Sequence, residues 1–510
     1  MTLCRKSHLT GLLALAASML PMSCAVGPNF KKPAAPEAKN YSRKPLRNPQ
    51  ATVGVKGGES QRFVEGLDIP AQWWTLFHSK PLNALVESSL RANPSLKAAQ
   101  DALLVARENV SAQVGAFYPS ISGGFLASRQ KSSASLSPVT SGTTLLFDLY
   151  TSQVSVSYVP DVFGLNRRTV ESLKAQAEQQ RFALVATYLT LSSNVVAAAI
   201  QEAALRGQIA ATHQLIEINT KMVEVLRKQF AMGYASRLDL ATQEAQLAQV
   251  VATLPPLLKQ LAQQRDLLSA LAGRFPSQEP TETFELSSLE LPRDLPVSLP
   301  SKLVEQRPDV RQAEENLHSA SALVGVAVAN RLPNFNLTAN AGTTALAIGQ
   351  LFAPGVGYWS LGAAIAQPIF EGGTLLHRER AARAAYRQAD QQYRSTVLTA
   401  LQNVADTLHA LEQDGDALKA AYDAERAAKV SLDLTSQQLE IGYANALTLL
   451  IEEQTYQQAL ISLVQARANR FADTAALFQA LGGGWWNRAE VVSAATEAKG
   501  RRPPARTASE

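Results

Sequence analysis

The sequence predicts an α+β membrane protein built from two copies of one unit. Its strands need further chains to complete a barrel, and very long helices continue from them. Three observations predict this: a long internal repeat, four stretches of period-two polarity, and two proline-free helical stretches of nearly seventy residues. The repeat is the strongest. Asn93-Pro94-Ser95-Leu96, running to Phe117-Tyr118-Pro119-Ser120, returns as Arg307-Pro308-Asp309-Val310 running to Arg331-Leu332-Pro333-Asn334. Both proline pairs are offset by 214 residues. Pro160 and Pro368, Gly207 and Gly415, Gly233-Tyr234-Ala235-Ser236 and Gly442-Tyr443-Ala444-Asn445 follow in order. The last is Ala-Leu-Ala-Gly at 270–273, answered by Ala-Leu-Gly-Gly at 480–483. A repeat this long implies two copies of one supersecondary unit, neither able to bury its apolar face alone.

The chain opens with a secretory signal at 1–23. Arg5 and Lys6 precede the apolar run Leu9 to Leu20, which is too short to span a bilayer. Ser23-Cys24 follows where cleavage falls, so Cys24 is the expected lipid attachment site of a lipoprotein, although Pro21 stands where lipoproteins usually carry Leu. Cys4 leaves with the signal, and the mature chain then has no disulfide. Residues 24–70 read as a lipidated, extended N-terminal segment, and 485–510 as a disordered tail.

Charge follows the same division. The formal net charge is +5, but Arg5 and Lys6 belong to the signal. Residues 24–62 carry eight Lys/Arg against two Glu, and 485–510 carry five against three, which leaves the body at −5. Basic ends around an acidic body exclude the clustered basic face that nucleic acid requires.

The first repeat spans 71–300 and the second 301–484. Each reads as helix, two strands, a very long helix, a sharp turn and a returning helix. The opening helix of the first copy runs from about Lys80 to Ala116 and breaks near 93, because the residue before a proline avoids the helical region. Period-two alternation then takes over, clearest at Gln153–Tyr158, Phe335–Ala341 and Trp359–Ala363. Residues 132–144 and 343–357 read as loops. Alternating segments are the mark of membrane β-strands, yet one chain offers only four, and membrane barrels start at about eight. Unpaired sheet edges cannot face lipid, so other chains must complete the sheet; three chains give twelve strands.

The long helices are expected at Asn166–Met232 and Gly373–Ile441, each about 100 Å at 1.5 Å per residue. Leu215, Ile218, Met222, Val225 and Phe230 trace one apolar stripe; Ile216, Val223 and Leu226 trace a second. Two stripes suit a helix with neighbours on both sides, whether in a ring or in a bundle. Phe182–Gln201 is uncharged enough to span a membrane, but its Thr, Ser and Asn residues favour buried packing. The returning helices are expected at about Ser236–Gly273 and Asn445–Gly482.

No residue pattern here is catalytic. The six histidines are scattered, and zinc spacings, phosphate loops and nucleophile elbows are lacking in the sequence. Glu452-Glu453 reads as a solvated face or a pore lining, because neighbours on a helix diverge by about 100°. The Gly-Tyr turns, Gly233-Tyr234 and Gly442-Tyr443, mark the far tips of the long helices, as a mouth or docking surface.

On these residues the chain resembles the TolC-like outer-membrane efflux channels, in their lipoprotein (NodT-type) branch. The matching stretches are residues 24–30 (CAVGPNF), Trp73-Trp74 with Phe77, Leu90 to Leu96, and residues 158–164 (YVPDVFG). Arg307 to Val310, Gln367-Pro368-Ile369-Phe370 and Ala480 to Gly483 complete the set. The resemblance implies a homotrimer with a twelve-stranded outer-membrane barrel, four strands per chain, and a periplasmic α-helical barrel. It also implies a periplasmic adaptor protein and an inner-membrane pump, of resistance-nodulation-division type, as partners. The function implied is a passive duct for small molecules (drugs, toxic compounds or metal ions), with no enzyme activity and no cofactor beyond the lipid on Cys24. Alternatives are a type I protein-secretion outlet and a structural lipoprotein tethering envelope layers. Members of the family often carry an Asp after the second tip turn, and here that place holds Ile451. The expectation is therefore a hydrophobic constriction at Ile451, with Glu452 or Arg237–Asp239 contacts holding the closed state.

Overall fold

The structure, a computed structural model, describes residues 25–38, 40–43, 45–131 and 146–488. The signal, Cys24, the loop expected at 132–144 and the tail beyond 488 lie outside the described residues. In chain order the strands are β1 (Arg62–Glu65), β2 (Ser120–Lys131), β3 (Leu146–Tyr158), β4 (Asp294–Val297), β5 (Asn334–Ala345) and β6 (Gly357–Ala366). The helices of the first copy are α1 (Lys80–Ala92), α2 (Pro94–Val114), α3 (Leu165–Ala231) and α4 (Arg237–Leu271). Those of the second are α5 (Pro300–Gln306), α6 (Pro308–Ala329), α7 (Thr374–Glu440) and α8 (Ala446–Ala480). The copies agree closely: α3 and α7 each have 67 residues, and α4 and α8 each have 35.

Local chemistry sets the helix breaks. Asn93 and Arg307, each before a proline, take extended ψ values of 124° and 123°. Pro255 and Pro256 fall inside α4 without ending it. The hydroxyl of Thr253 donates to the carbonyl of Val250 at 2.7 Å in the turn just before them.

The chain forms two compact units, and both 67-residue helices contribute to each. One unit holds the N-terminal stretch up to Pro33 with Ala102–Gln180 and Ala313–Tyr393. It contains an antiparallel sheet in the order β2-β3-β5-β6. In the same unit, residues 25–32 lie as a strap on α3 and α6. Arg168 donates to the carbonyl of Val26 (3.0 Å) and to Oδ1 of Asn29 (2.8 Å), and Phe30 stacks on His318 at 4.4 Å. Gly27 and Gly325 make that approach possible: a Cβ on Gly27 would collide with the Cα of Gly325.

The other unit holds residues Ala34–Asp101, Arg181–Gln312 and the chain from Arg394. Its aromatic core is Trp73, Trp74, Phe77, Phe471 and Phe478, with Trp73 stacked on Phe478 at 5.4 Å. The uncharged stretch after Phe182 packs inside: Phe182, Val185, Val195, Val196 and Ala199 are buried, as expected for a packing face.

Three sequence expectations need correction here. The segment 24–70 is not merely extended, because β1 pairs in parallel with β4 from Arg62–Asp294 to Glu65–Val297. Four residues of mixed polarity are too few for a periodic signal. The loop expected at 343–357 is shorter, since β5 continues to Ala345. The tail does not begin at 485. Trp485–Asn487 form a 3-10 turn, Trp485 Nε1 donates to the carbonyl of Gln306 (2.6 Å), and Asn487 Nδ2 donates to Asp68 (2.7 Å). Two half-buried indoles, bonded to Gln306 and to Asp68, outweigh the polar composition that follows them.

Candidate functional site

A membrane duct needs a wall with one apolar and one polar face, and the four-stranded sheet has that division. Antiparallel register places paired residues on the same face. Trp359 pairs with Ala341 and Ala341 with Val154; Leu361 pairs with Ala339, Ala339 with Val156, and Val156 with Ile121. Ile365 pairs with Phe335 on this apolar face. Its large side chains Ile121, Val154, Trp359, Leu361 and Ile365 are exposed. The opposite face carries Ser360, Asn340, Ser155 and Ser122 in one row, and Tyr358, Gly342, Gln153 and Gly124 in another. There Asn340 Nδ2 donates to Ser360 Oγ (3.3 Å), Ser157 Oγ to Asn336 Oδ1 (3.2 Å), and the Tyr358 hydroxyl to Gln153 Oε1 (2.5 Å). The outer edges of β2 and β6 have no partner strand among the described residues.

The two tips are built alike. Gly233 and Gly442 both have φ +81°, a left-handed conformation that glycine adopts without strain. Tyr234 N–H donates to Gln229 O and Gly233 N–H to Phe230 O. In the second copy Tyr443 N–H donates to Gln438 O and Gly442 N–H to Leu439 O. Each pair is a Schellman closure, which uses the last free carbonyls of the long helix. Tyr234 and Tyr443 project outward, 81% and 84% exposed.

The returning helices start differently. Ser236 Oγ accepts from Asp239 N–H (3.1 Å) while Asp239 Oδ2 accepts from Ser236 N–H (2.9 Å), a complete capping box. These bonds from Ser236 hold the Asp239 carboxyl below its ordinary range. In the second copy Asn445 Oδ1 accepts from Thr448 N–H (2.8 Å), with no carboxylate returning the bond.

The expected constriction residues therefore separate. Asp239 is occupied in its own turn, Arg237 is exposed, and Ile451 is half exposed at 53%. No hydrogen bond or ion pair joins Arg237, Asp239, Ile451 and Glu452 to one another among the described residues. The Glu452-Glu453 reading needs correction. Glu452 is half-buried, but Glu453 is 1% exposed. The divergence of adjacent helical residues puts one outward and the other inward. Glu453 lies on the stripe Leu449, Glu453, Tyr456, whose first and last members are in the apolar cluster with Leu215, Val250, Leu432 and Leu439. That i, i+4, i+7 spacing was the available signal. Its Oε2 accepts from Gln243 Nε2 at 2.8 Å, and burial pushes the carboxyl up to about 7.

Comparison with known proteins agrees with this arrangement. The family described as "Outer membrane efflux protein" matches residues 85–274 and 299–483. A toluene efflux pump outer membrane protein, TtgC of Pseudomonas putida, is 27% identical over 479 residues, covering 94% of this chain and 96% of the relative. Nodulation protein T of Rhizobium leguminosarum bv. trifolii is 24% identical, covering 88% of this chain and 92% of the relative. The crystal structure of the outer membrane protein VceC of Vibrio cholerae superposes with a TM-score of 0.76 at 26% identity. It covers 82% of this chain and 100% of that one. Strand division, twin tips and a family match over both halves agree: the chain belongs to the outer membrane efflux protein family.

Proposed function

We propose that three copies of this chain close into one twelve-stranded barrel in the outer membrane and form a passive efflux duct through the periplasm. The observation that carries this reading is the four-stranded sheet with an apolar face, a polar face and two unpaired edges. In lipid each unpaired backbone group costs several kcal/mol, so the β6 edge of one copy must meet the β2 edge of the next. Closure turns the apolar rows of Trp359 and Leu361 to lipid and the rows of Ser360 and Tyr358 to the lumen. The duct supplies a path and no bond chemistry; a periplasmic adaptor and an inner-membrane pump of resistance-nodulation-division type supply the energy and the opening force. Relatives named for export of toluene and pyoverdine support small molecules as cargo. Cys24 carries the lipid anchor, one residue before the strap begins at Ala25. Ile451 narrows the mouth at the tips.

The test is assembly and conduction together. Heat-resistant trimers in detergent that conduct in planar bilayers support the duct, and a monomer without conductance overturns it. Mass spectrometry of the membrane-extracted protein tests Cys24 separately: an acylated N-terminal peptide is expected, and Cys24→Ser abolishes it.

A further inference from the structure

Three helices near the tips each bury a polar side chain on the stripe that packs inward. On α8 it is Glu453, between Leu449 and Tyr456; on α3 it is Asn219, between Leu215 and Met222; on α4 it is Gln243, followed on the same stripe by Gln246 and Val250. All three are buried, and they meet. Gln243 Nε2 donates to Asn219 Oδ1 (3.2 Å) and to Glu453 Oε2 (2.8 Å), while Asn219 Nδ2 donates to Leu215 O (2.9 Å). The other carboxyl oxygen, Glu453 Oε1, is buried without a hydrogen-bond partner. The trio joins the hairpin of the first copy to the returning helix of the second.

What the trio lacks is a counter-charge. Of the charged groups on the surrounding helices, Lys221 of α3 binds Glu217 (2.7 Å), and Arg227 binds Glu244 of α4 (2.9 Å). On α7, Glu425 and Asp433 act on the hydroxyl of Tyr456. Glu452, next in the chain, diverges by about 100°. Among the described residues, burial and the Gln243 amide alone set the state of Glu453. A neutral carboxyl fits such a site far better than a carboxylate, which needs water or a cation.

We propose that Glu453 is a proton-operated latch between the two tip hairpins: neutral, it seats α8 against α3 and α4, and ionised, it loosens that packing and favours an open mouth. The consequence for opening rests on the duct reading; the latch itself does not. The direction follows from linkage. The carboxyl sits at about 7 in the packed state against an ordinary 4.5. The latch is therefore fully stable below 4.5, and its stability is lost as pH rises toward and through about 7. One proton changes the balance by up to about tenfold per pH unit inside that window.

Hydrogen exchange of the full-length protein in detergent reads the latch directly. After correction for intrinsic exchange, wild-type amides around 243 and 453 are expected to lose protection from about pH 5 to about pH 8. Glu453→Gln, neutral at every pH, should keep it. Equal pH profiles in the two proteins, or a flat wild type, overturn the latch. Gln243→Met gives a second reading, because removing the bond that opposes burial must extend the loss to higher pH while its onset stays in place; an unchanged upper limit also overturns it. Conductance at the same pH values tests the link to opening. A wild-type rise that Glu453→Gln abolishes supports it, and conductance indifferent to pH overturns the gating role. Absence of trimers and conductance in every variant overturns the duct reading, while exchange still decides the latch.

Discussion

Arg307 donates from its guanidinium to the carbonyl of Ala480 at 3.0 Å, closing the C-terminal end of α8 from 173 residues away. Asn93 does the same for α4 in the first copy, donating to the carbonyl of Leu271 at 3.0 Å. Two different side chains thus perform one task at equivalent places. Both stand before a proline, where the chain has just left the helical region. The guanidinium adds a positive charge where the helix dipole is negative. Arg307→Ala is expected to cost about 1–3 kcal/mol, because it leaves a buried helix-end carbonyl unpaired. Denaturant titration of the purified protein measures this, and Arg307→Lys should recover only part of the loss.

The tips predict a matched pair of effects. Nothing lies within 4 Å of a Cβ built on Gly233 or Gly442, so alanine meets only backbone strain. Each substitution is expected to cost about 1–2 kcal/mol locally. Limited proteolysis at the turns should detect faster cleavage, of similar size in the two variants. A large effect at one tip alone would mean that the second contributes nothing to order.

The strap predicts a pH dependence opposite in kind to a carboxylate pair held by a base. His318 lies between Glu315 (3.3 Å) and Glu171 (3.2 Å), and hydrogen bonding to Glu315, then to Glu171, raises it above its usual value of 6.5. The raised value means that the charged form holds the strap through Phe30. Its contribution is full below 6.5 and is lost as pH rises through the raised value. Trypsin cleavage after Lys31, normalised to an unstructured substrate at each pH, should accelerate at alkaline pH in the wild type. His318→Phe should cut at one rate throughout.

The sheet makes a prediction about direction. Leu361 and Ser360 are neighbours on opposite faces of β6. Leu361→Arg puts a charge on the proposed lipid face, at about 2–4 kcal/mol near mid-membrane, and should reduce heat-resistant trimers. Ser360→Arg should assemble normally and shift ion selectivity towards anions. The reverse pattern would mean that the faces are assigned the wrong way round.

Much of this fold is legible in the residues. Pro94, Pro308 and the Gly-Tyr turns fix element boundaries to within a few positions, because proline and left-handed glycine act locally. The sheet faces are legible for the same reason, since alternation in β6 belongs to the strand itself. What escaped belongs to tertiary context. β1 needs β4, which lies 232 residues away and has no periodic pattern of its own. Glu453 reads as a surface residue until the neighbours of α8 are known. Asp239 reads as part of a closing contact with Arg237 until its own turn claims it.

The equal lengths of the two hairpins, 67 with 35 in each copy, make the molecule a vernier. Adding one residue to α3 alone rotates everything beyond it by about 100° and removes Asn219 from its stripe. Adding seven keeps the stripe to within about 20°, but it still raises one tip about 10 Å past the other. Length change is therefore tolerable only in near-heptad steps taken by all four helices at once. Reach towards a neighbouring membrane is then inherited as a quantised trait, altered by coordinated insertion and not by drift in a single loop.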